Sequence, residues 1–472
     1  MAILIKGGTV VTAAEMYPAD VLVRGERIVA VGTDLPVSDA QVIDASGKLI
    51  LPGGVDVHTH FDLPMFGTVS SDDHYTGHKA AAFGGTTTAI DFISQDVSPL
   101  LDNVERWHVK ADAKAAIDFS FHMNITRFDA QVAADIPLLV GEGITSLKVF
   151  TAYNGRLRLP DGDIFQVMRI AGKHGMLTMM HAENGDIIDV LIAEALQAGY
   201  TAPYFHAATR PGWGEVEAAL RGFAISAQAE APLYLVHMNV AGEVDMLAYA
   251  RENGLQVMGE TCPQYLFFTE DDLRRPDGAK WICSPPMRTR VDNERLWEGL
   301  RDGTIQAVAT DHCPFYFDGT RPILYEGREV AIPGKELGRD NFTLIPNGLP
   351  GVGDRLPVMW TQGVVGGRMT PTQFVALHCT NPARMFGLYP RKGTLSPGAD
   401  ADIVIWDPER VVKYGTAHAQ HRTDYNLYEG WELDGYPQQV FLRGKLIVDH
   451  ETWLGAAGQG VFVPRKPFAD IL

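Results

Sequence analysis

The sequence predicts an α/β fold, a (β/α)8 barrel carrying a small β-sandwich to which both chain ends contribute. Three observations lead there. Short, nearly continuous apolar segments recur through the middle of the chain with helical patterns between them, as buried parallel strands and their crossover helices should. Both ends instead alternate apolar and polar residues in bursts broken by glycine, the pattern of antiparallel strands and hairpins. The length, 472 residues, accommodates one large barrel and a smaller unit. An open doubly wound sheet is the alternative for the middle.

The first fifty residues hold ILIKGGTVV, ADVLVRGERIVAVG and AQVIDASGKLILPG, and the same style returns in GADADIVIWDP (398–408) and QQVFLRGKLIVD (438–449). Neither end can bury a core alone, so the two are expected to pair and bring the termini together. The expected units are a sandwich part at 1–53, the barrel at 54–385, and the second sandwich part with the tail at 386–472. The eight barrel strands are read at 55–60, 86–92, 117–125, 144–151, 176–183, 232–239, 255–263 and 305–313. Between them, Val216, Leu220, Phe223 and Ala227 form one apolar helix face, and Ile187, Ile188, Leu191 and Ile192 another. Residues 314–346 read as a long ordered loop or lid, rich in glycine, proline and charge. Thr370 and Gln373 form a capping box around Pro371, starting a helix that leads out of the barrel. The tail GQGVFVPRKPF is too apolar for a free end and is expected to dock on a neighbour.

Lys plus Arg total 40 against 58 for Asp plus Glu, a net charge of −18 that repels phosphate backbones and anionic bilayers. No basic patch opposes it, no apolar run reaches the roughly 20 residues of a membrane span, and no cleavable leader is read at the start. Cys262, Cys283, Cys313 and Cys379 are too scattered for a CxxC pair, which favours a reducing, cytoplasmic setting.

Ionisable residues gather where the predicted strands end: His58 and His60, Lys148, His181, His237 and Asp311. In a barrel all these ends open on one face, where active sites are built. The i, i+2 spacing of His58 and His60 puts both rings on one side of a strand, a weak signal alone that gains weight from the other strand-end donors. Neutral imidazoles with one carboxylate suit zinc and similar divalent ions, and four His with one Asp exceed what one open tetrahedral ion can take, so two ions are expected. Two close cations need an anionic bridge. Lys148 sits between Leu147 and Val149, where an ammonium is costly to bury and cannot ligate. Its ordinary role would be an ion pair or a snorkelling strand lysine, but reaction of the neutral amine with carbon dioxide would give a two-oxygen anionic bridge.

These segments, with PGGVDVHTHFD, AAAFGGTTTAIDF, SLKVFTAYNG, MMHAENGD, LVHMN, GETCPQYL, CSPPMR, ATDHCPF, IPNGLPG and GQGVFVPR, resemble over essentially the whole chain the cyclic amidohydrolases of the D-hydantoinase and dihydropyrimidinase branch. The resemblance implies a binuclear zinc barrel, a carboxylated bridging lysine at Lys148 and a homotetramer. His58, His60 and Asp311 would serve the more buried ion, His181 and His237 the more exposed one. The implied reaction opens the cyclic amide of hydantoins or dihydropyrimidines to N-carbamoyl amino acids. A hydroxide bridging the ions attacks while Asp311 acts as base and then acid, and Tyr153 donates to the oxyanion. Main chain at Ser284 and Asn347 would grip the imide edge, and Met65, Phe150 and Leu157 would line the space for the exocyclic substituent. His312, His122 and the cysteines are read as structural or supporting residues, and His74 and His78 as decorating a helix.

A dihydroorotase would be expected to place an arginine two residues after the HxH pair, where this chain has Asp62. Allantoinase would share the metal cluster, although KVFTAY and CSPPMR look more like the hydantoinase branch. Scaffold proteins of the same fold typically lack the metal ligands, and all six positions are present here.

Overall fold

The structure, a computed structural model, describes residues 2–35, 39–65, 67–325 and 327–468. Its centre is an eight-stranded parallel sheet: β1 (Gly54–Thr59), β2 (Thr86–Ile93), β3 (Asp118–Asn124), β4 (Ser146–Phe150), β5 (Leu177–His181), β6 (Leu233–Leu235), β7 (Val257–Thr261) and β8 (Ala307–Val308). Each strand pairs with the next in sequence, without the reversal of order that defines a doubly wound sheet. Just past β8, His312 bridges Thr59, and the His60 N–H donates to the His312 carbonyl at 2.8 Å, so the sheet nearly closes into a barrel. Every strand residue is buried, which is why these segments read as continuous apolar runs rather than as alternation.

Val55, Val57, Ile90, Phe92, Leu177, Met179, Tyr234 and Met258 pack in one cluster with Met385, Phe386, Leu388 and Val463. The tail docks on its own barrel: Val463 N–H donates to the Phe119 carbonyl at 2.7 Å and Phe119 N–H to the Val461 carbonyl at 3.1 Å. Arg465 Nε adds a bond to Ser120 Oγ at 2.9 Å.

The two chain ends form sheets of their own. In a seven-stranded sheet, Ile403–Lys413 pairs antiparallel with Leu49–Pro52, joining C-terminal strands to N-terminal ones. A four-stranded sheet is built from residues 2–44 alone. Ile5, Val10, Val21, Ile28, Ile50, Ile403 and Phe441 pack together between them.

The helix faces differ from expectation. Helix Gly212–Ala229 buries Val216 and Phe223 but exposes Leu220 and Ala227, because its small residues Ala218, Ala219 and Gly222 make the inner face. A Cβ at Gly222 would meet Met180 at 2.7 Å. Helix Gly185–Gln197 buries only Ile188 of the four expected, leaving Ile187 exposed. His74 and His78 do not decorate a surface: both are fully buried, and His78, on helix Thr76–Phe83, accepts the Ala116 N–H at 3.2 Å. The capping box forms as expected, Thr370 and Gln373 exchanging bonds at 2.9 and 3.1 Å. Within 314–346 lies an antiparallel hairpin, Arg321–Tyr325 with Arg328–Ile332. No helix among the described residues is long and apolar enough to cross a membrane.

Candidate metal centre at the barrel rim

His58 is in β1, His60 just after it, Lys148 in β4, His181 ends β5, His237 follows β6 and Asp311 follows β8. The fold brings them to one rim. Ligand atoms of His58, His60 and Asp311 lie within 4.8 Å of one another. Asp311 Oδ1 is 3.1 Å from both His58 Nε2 and His60 Nε2, and Lys148 Nζ is 2.9 Å from His58 Nε2. On the other side His181 Nδ1 faces His237 Nε2 at 2.9 Å. Tyr153, His237 and Asp311 all have left-handed backbones, with φ of 67°, 42° and 53°. Such conformations cost roughly 1–3 kcal/mol each and cluster at functional sites.

The neighbouring carboxylates set which nitrogen each ring presents. Glu260 on β7 makes a short bond to His58 Nδ1, and also accepts the His237 N–H at 3.3 Å and the Tyr234 hydroxyl at 2.9 Å. That ties Nδ1 to Glu260 and turns Nε2 toward Asp311 and Lys148, the nitrogen that could ligate a metal. Glu183 binds His181 Nε2 at 2.7 Å, so His181 presents Nδ1, and Arg210 holds Glu183 in turn at 2.7 Å. Burial pushes the Glu183 carboxyl up, but Arg210 and His181 outweigh it and hold it below its ordinary range. His181 Nδ1 and His237 Nε2 are therefore turned toward each other, and two neutral imidazole nitrogens so placed could ligate a cation. The donor chemistry therefore fits divalent metal on both sides of Lys148.

Burial also tunes the charges. It pushes His60 down to about 4 and His237 well below its usual range, keeping both rings neutral as ligands must be. Burial works against the Asp311 carboxylate, but His58 and His60 hold it ionised well below the ordinary value. The Lys148 amine is pushed down to about 8 by burial, with Asp311 and Glu260 opposing, and its Nζ lies 4.3 Å from the Phe92 ring centre.

One cavity opens above these groups. Met65, Phe150, Tyr153, Leu157, Ser284 and Asn347 line it together with His60, Lys148, His181, His237 and Asp311. Asn347 Nδ2 donates to Ser284 Oγ at 2.9 Å. His58 lies beneath, with no exposed surface. Asp62 turns away to Lys114 at 2.9 Å and does not line the cavity. His122 is a buried supporting ring whose Nε2 lies 2.9 Å from the Val57 carbonyl, and His312 accepts the Gly351 N–H at 3.1 Å. Sequence reasoning did not single out Glu260, Glu183 or Arg210. The signal available was an acid inside an apolar strand-end segment, GETCP and MMHAE. It also missed Ser94, Asn124 and Arg156 in the lining, which carry no local signal.

A profile of the amidohydrolase family matches residues 49–447. The chain is 44% identical to a D-hydantoinase of Streptomyces coelicolor, covering 98% of this chain and 97% of that protein. It is 43% identical to a D-hydantoinase of Geobacillus stearothermophilus over 100% and 98% of the two chains. The crystal structure of dihydropyrimidinase from Brevibacillus agri superposes with a TM-score of 0.95 at 44% identity, covering 99% of this chain and all of that one. A rim of side chains that could hold metal on a parallel barrel, matched along its whole length in this way, places the chain in the amidohydrolase family, within its D-hydantoinase and dihydropyrimidinase branch.

Proposed function

We propose that this cyclic amide hydrolase opens the ring C–N bond of hydantoins or dihydropyrimidines to give N-carbamoyl amino acids. The observation that carries the reading is the floor of the cavity, where neutral histidines and one ionised aspartate converge around a lysine whose amine is held near 8. His58, His60 and Asp311 would hold one divalent ion and His181 and His237 a second, zinc being the metal their nitrogen and oxygen donors suit. A neutral Lys148 amine can add carbon dioxide and lose a proton, giving the anion that two neighbouring cations require. Two such ions, when bound, supply a nucleophile at neutral pH and polarise the scissile carbonyl.

The remaining work falls to the chain. Asp311, ionised and beside the attacking position, takes the proton of the attacking water at a carboxylate oxygen and delivers it to the departing ring nitrogen. Tyr153, whose phenol burial pushes above its ordinary range, stays protonated and donates Oη to the developing oxyanion. Main-chain groups at Ser284 and Asn347 fix the imide edge, while Met65, Phe150 and Leu157 surround the exocyclic substituent. Sandwich and barrel are taken to exchange at 53/54 and 385/386. Exposed Ile187, Val190, Trp213 and Leu220 on two outer helices support a homotetramer, and four buried free cysteines support a cytoplasmic setting.

Initial rates on dihydrouracil, 5-substituted hydantoins of each hand and allantoin, with metal measured on the same sample, test the reading. Ring opening of the first two classes with about two metals per chain is expected. Turnover of allantoin alone would replace it with an allantoinase, and absence of both metal and turnover with a scaffold.

A further inference from the structure

Lys335 is buried to 1% exposure and takes no part in the chemistry above. It follows the hairpin Arg321–Ile332, opens the short 3-10 turn Lys335–Gly338, and its N–H donates to the Tyr316 carbonyl at 2.8 Å. Its Nζ donates to two carbonyls, Ile282 at 2.9 Å and Pro346 at 3.2 Å. Among the described residues it has no ion-pair partner. Burial pushes its amine down to about 7, opposed only by the thiols of Cys283 and Cys313.

A buried lysine without a carboxylate is a costly way to join two carbonyls, so the place it occupies matters. Ile282 lies two residues before Ser284, and Pro346 one residue before Asn347. The same two segments are joined by Gly348 N–H to the Ile282 carbonyl at 3.1 Å and by Asn347 Nδ2 to Ser284 Oγ. Lys335 adds a further rung to that ladder, from the turn that follows the hairpin.

We propose that Lys335 is a positioning residue: its Nζ, bridging the Ile282 and Pro346 carbonyls, sets the spacing of the two main-chain segments that grip the imide edge of the ring. This rests on the hydrolase reading above, because it assigns those segments to the ring. Lys335 touches neither metal ligands nor the scissile bond, so its loss loosens the ring without removing the chemistry.

The test is steady-state kinetics of the metal-loaded enzyme on dihydrouracil or whichever 5-substituted hydantoin the unaltered protein turns over fastest. Lys335→Met is expected to raise KM by about tenfold or more while kcat stays within about threefold, with metal content unchanged. Lys335→Gln, which keeps an N–H donor, is expected to fall between the two. Combined with Asn347→Ala, the Lys335→Met effect should be markedly less than additive, since both act through one edge. An unchanged KM in an enzyme that turns over these rings overturns this proposal alone. So does a parallel loss of kcat and metal, or failure of both variants to fold. An unaltered protein that opens none of the rings overturns the hydrolase reading and takes this proposal with it.

Discussion

Lys148 and Lys392 are both buried in the body of this barrel, at 3% and 1% exposure, and their surroundings treat the amine in opposite ways. Lys392 Nζ contacts Asp118, lies 2.7 Å from Asp402 and 3.0 Å from Asp400. Burial works against its charge, but these carboxylates outweigh burial and raise its pKa above the ordinary lysine range. Lys148, at the other end of the strands, meets an imidazole, an aromatic face and one nearby aspartate, and burial lowers it to about 8. The difference is the number of acids within reach. Where the strands begin, charges are neutralised in place beside the docked tail and serve stability. Where they end, donors face one another without neutralisation and serve chemistry, the division barrel enzymes follow.

Breaking each end in turn should separate the two roles. If Lys148 carries the anion of the proposed function, Lys148→Ala should lower activity by about a thousandfold or more, since metal supplies several kcal/mol of transition-state stabilisation. Metal analysis should show the loss while circular dichroism shows a folded chain. Lys392→Met should do the reverse: leaving buried Asp402 without its cation, and Asp118 and Asp400 with only their arginine partners, should destabilise by about 3–5 kcal/mol in denaturant unfolding, with kcat per folded molecule unchanged. Tyr153→Phe, which deletes one donor, should lower kcat about a hundred- to a thousandfold with metal retained. Glu260→Gln loosens the ring of His58 and should weaken metal binding about 10- to 100-fold, read by chelator competition.

The smallest effect is a matter of sign. The folded chain releases the Lys148 proton at about pH 8, the unfolded chain only near its ordinary 10.5. Between those values the unfolded state binds more protons, so the contribution of Lys148 to stability rises with pH, by at most about 1.4 kcal/mol per unit. Lys392 behaves oppositely, its raised pKa giving stability that is present below the ordinary lysine value and lost as pH rises through the folded one. Unfolding of metal-free wild type, Lys148→Met and Lys392→Met from pH 7 to 10 should therefore show a Lys148 contribution that climbs above about pH 8 and a Lys392 contribution that stays nearly flat, because its loss begins only above the ordinary 10.5.

Much of this was legible in one dimension. Eight strand segments, the composite sheet from both ends, and the six donors at strand ends follow from apolar runs, alternation and residue type, all local properties. The helix faces were less legible, because periodicity reports that a face is apolar and not which neighbour covers it: small residues at Ala218, Ala219 and Gly222 displaced Leu220 from the core. His74 and His78 looked like surface residues because polar side chains carry no local mark of burial.

The order of hydrophobic segments along the chain thus determined a barrel and the donor residues on its rim, since a strand's burial is written in its own composition. The tertiary structure alone decided the pairings across long stretches of chain. It set Glu260 against His58, Glu183 against His181, Arg210 against Glu183, the tail against β3, and Lys335 between Ile282 and Pro346. Those choices rest on which polar groups the closed barrel leaves within bonding distance once water is excluded, and only the packed chain fixes that distance.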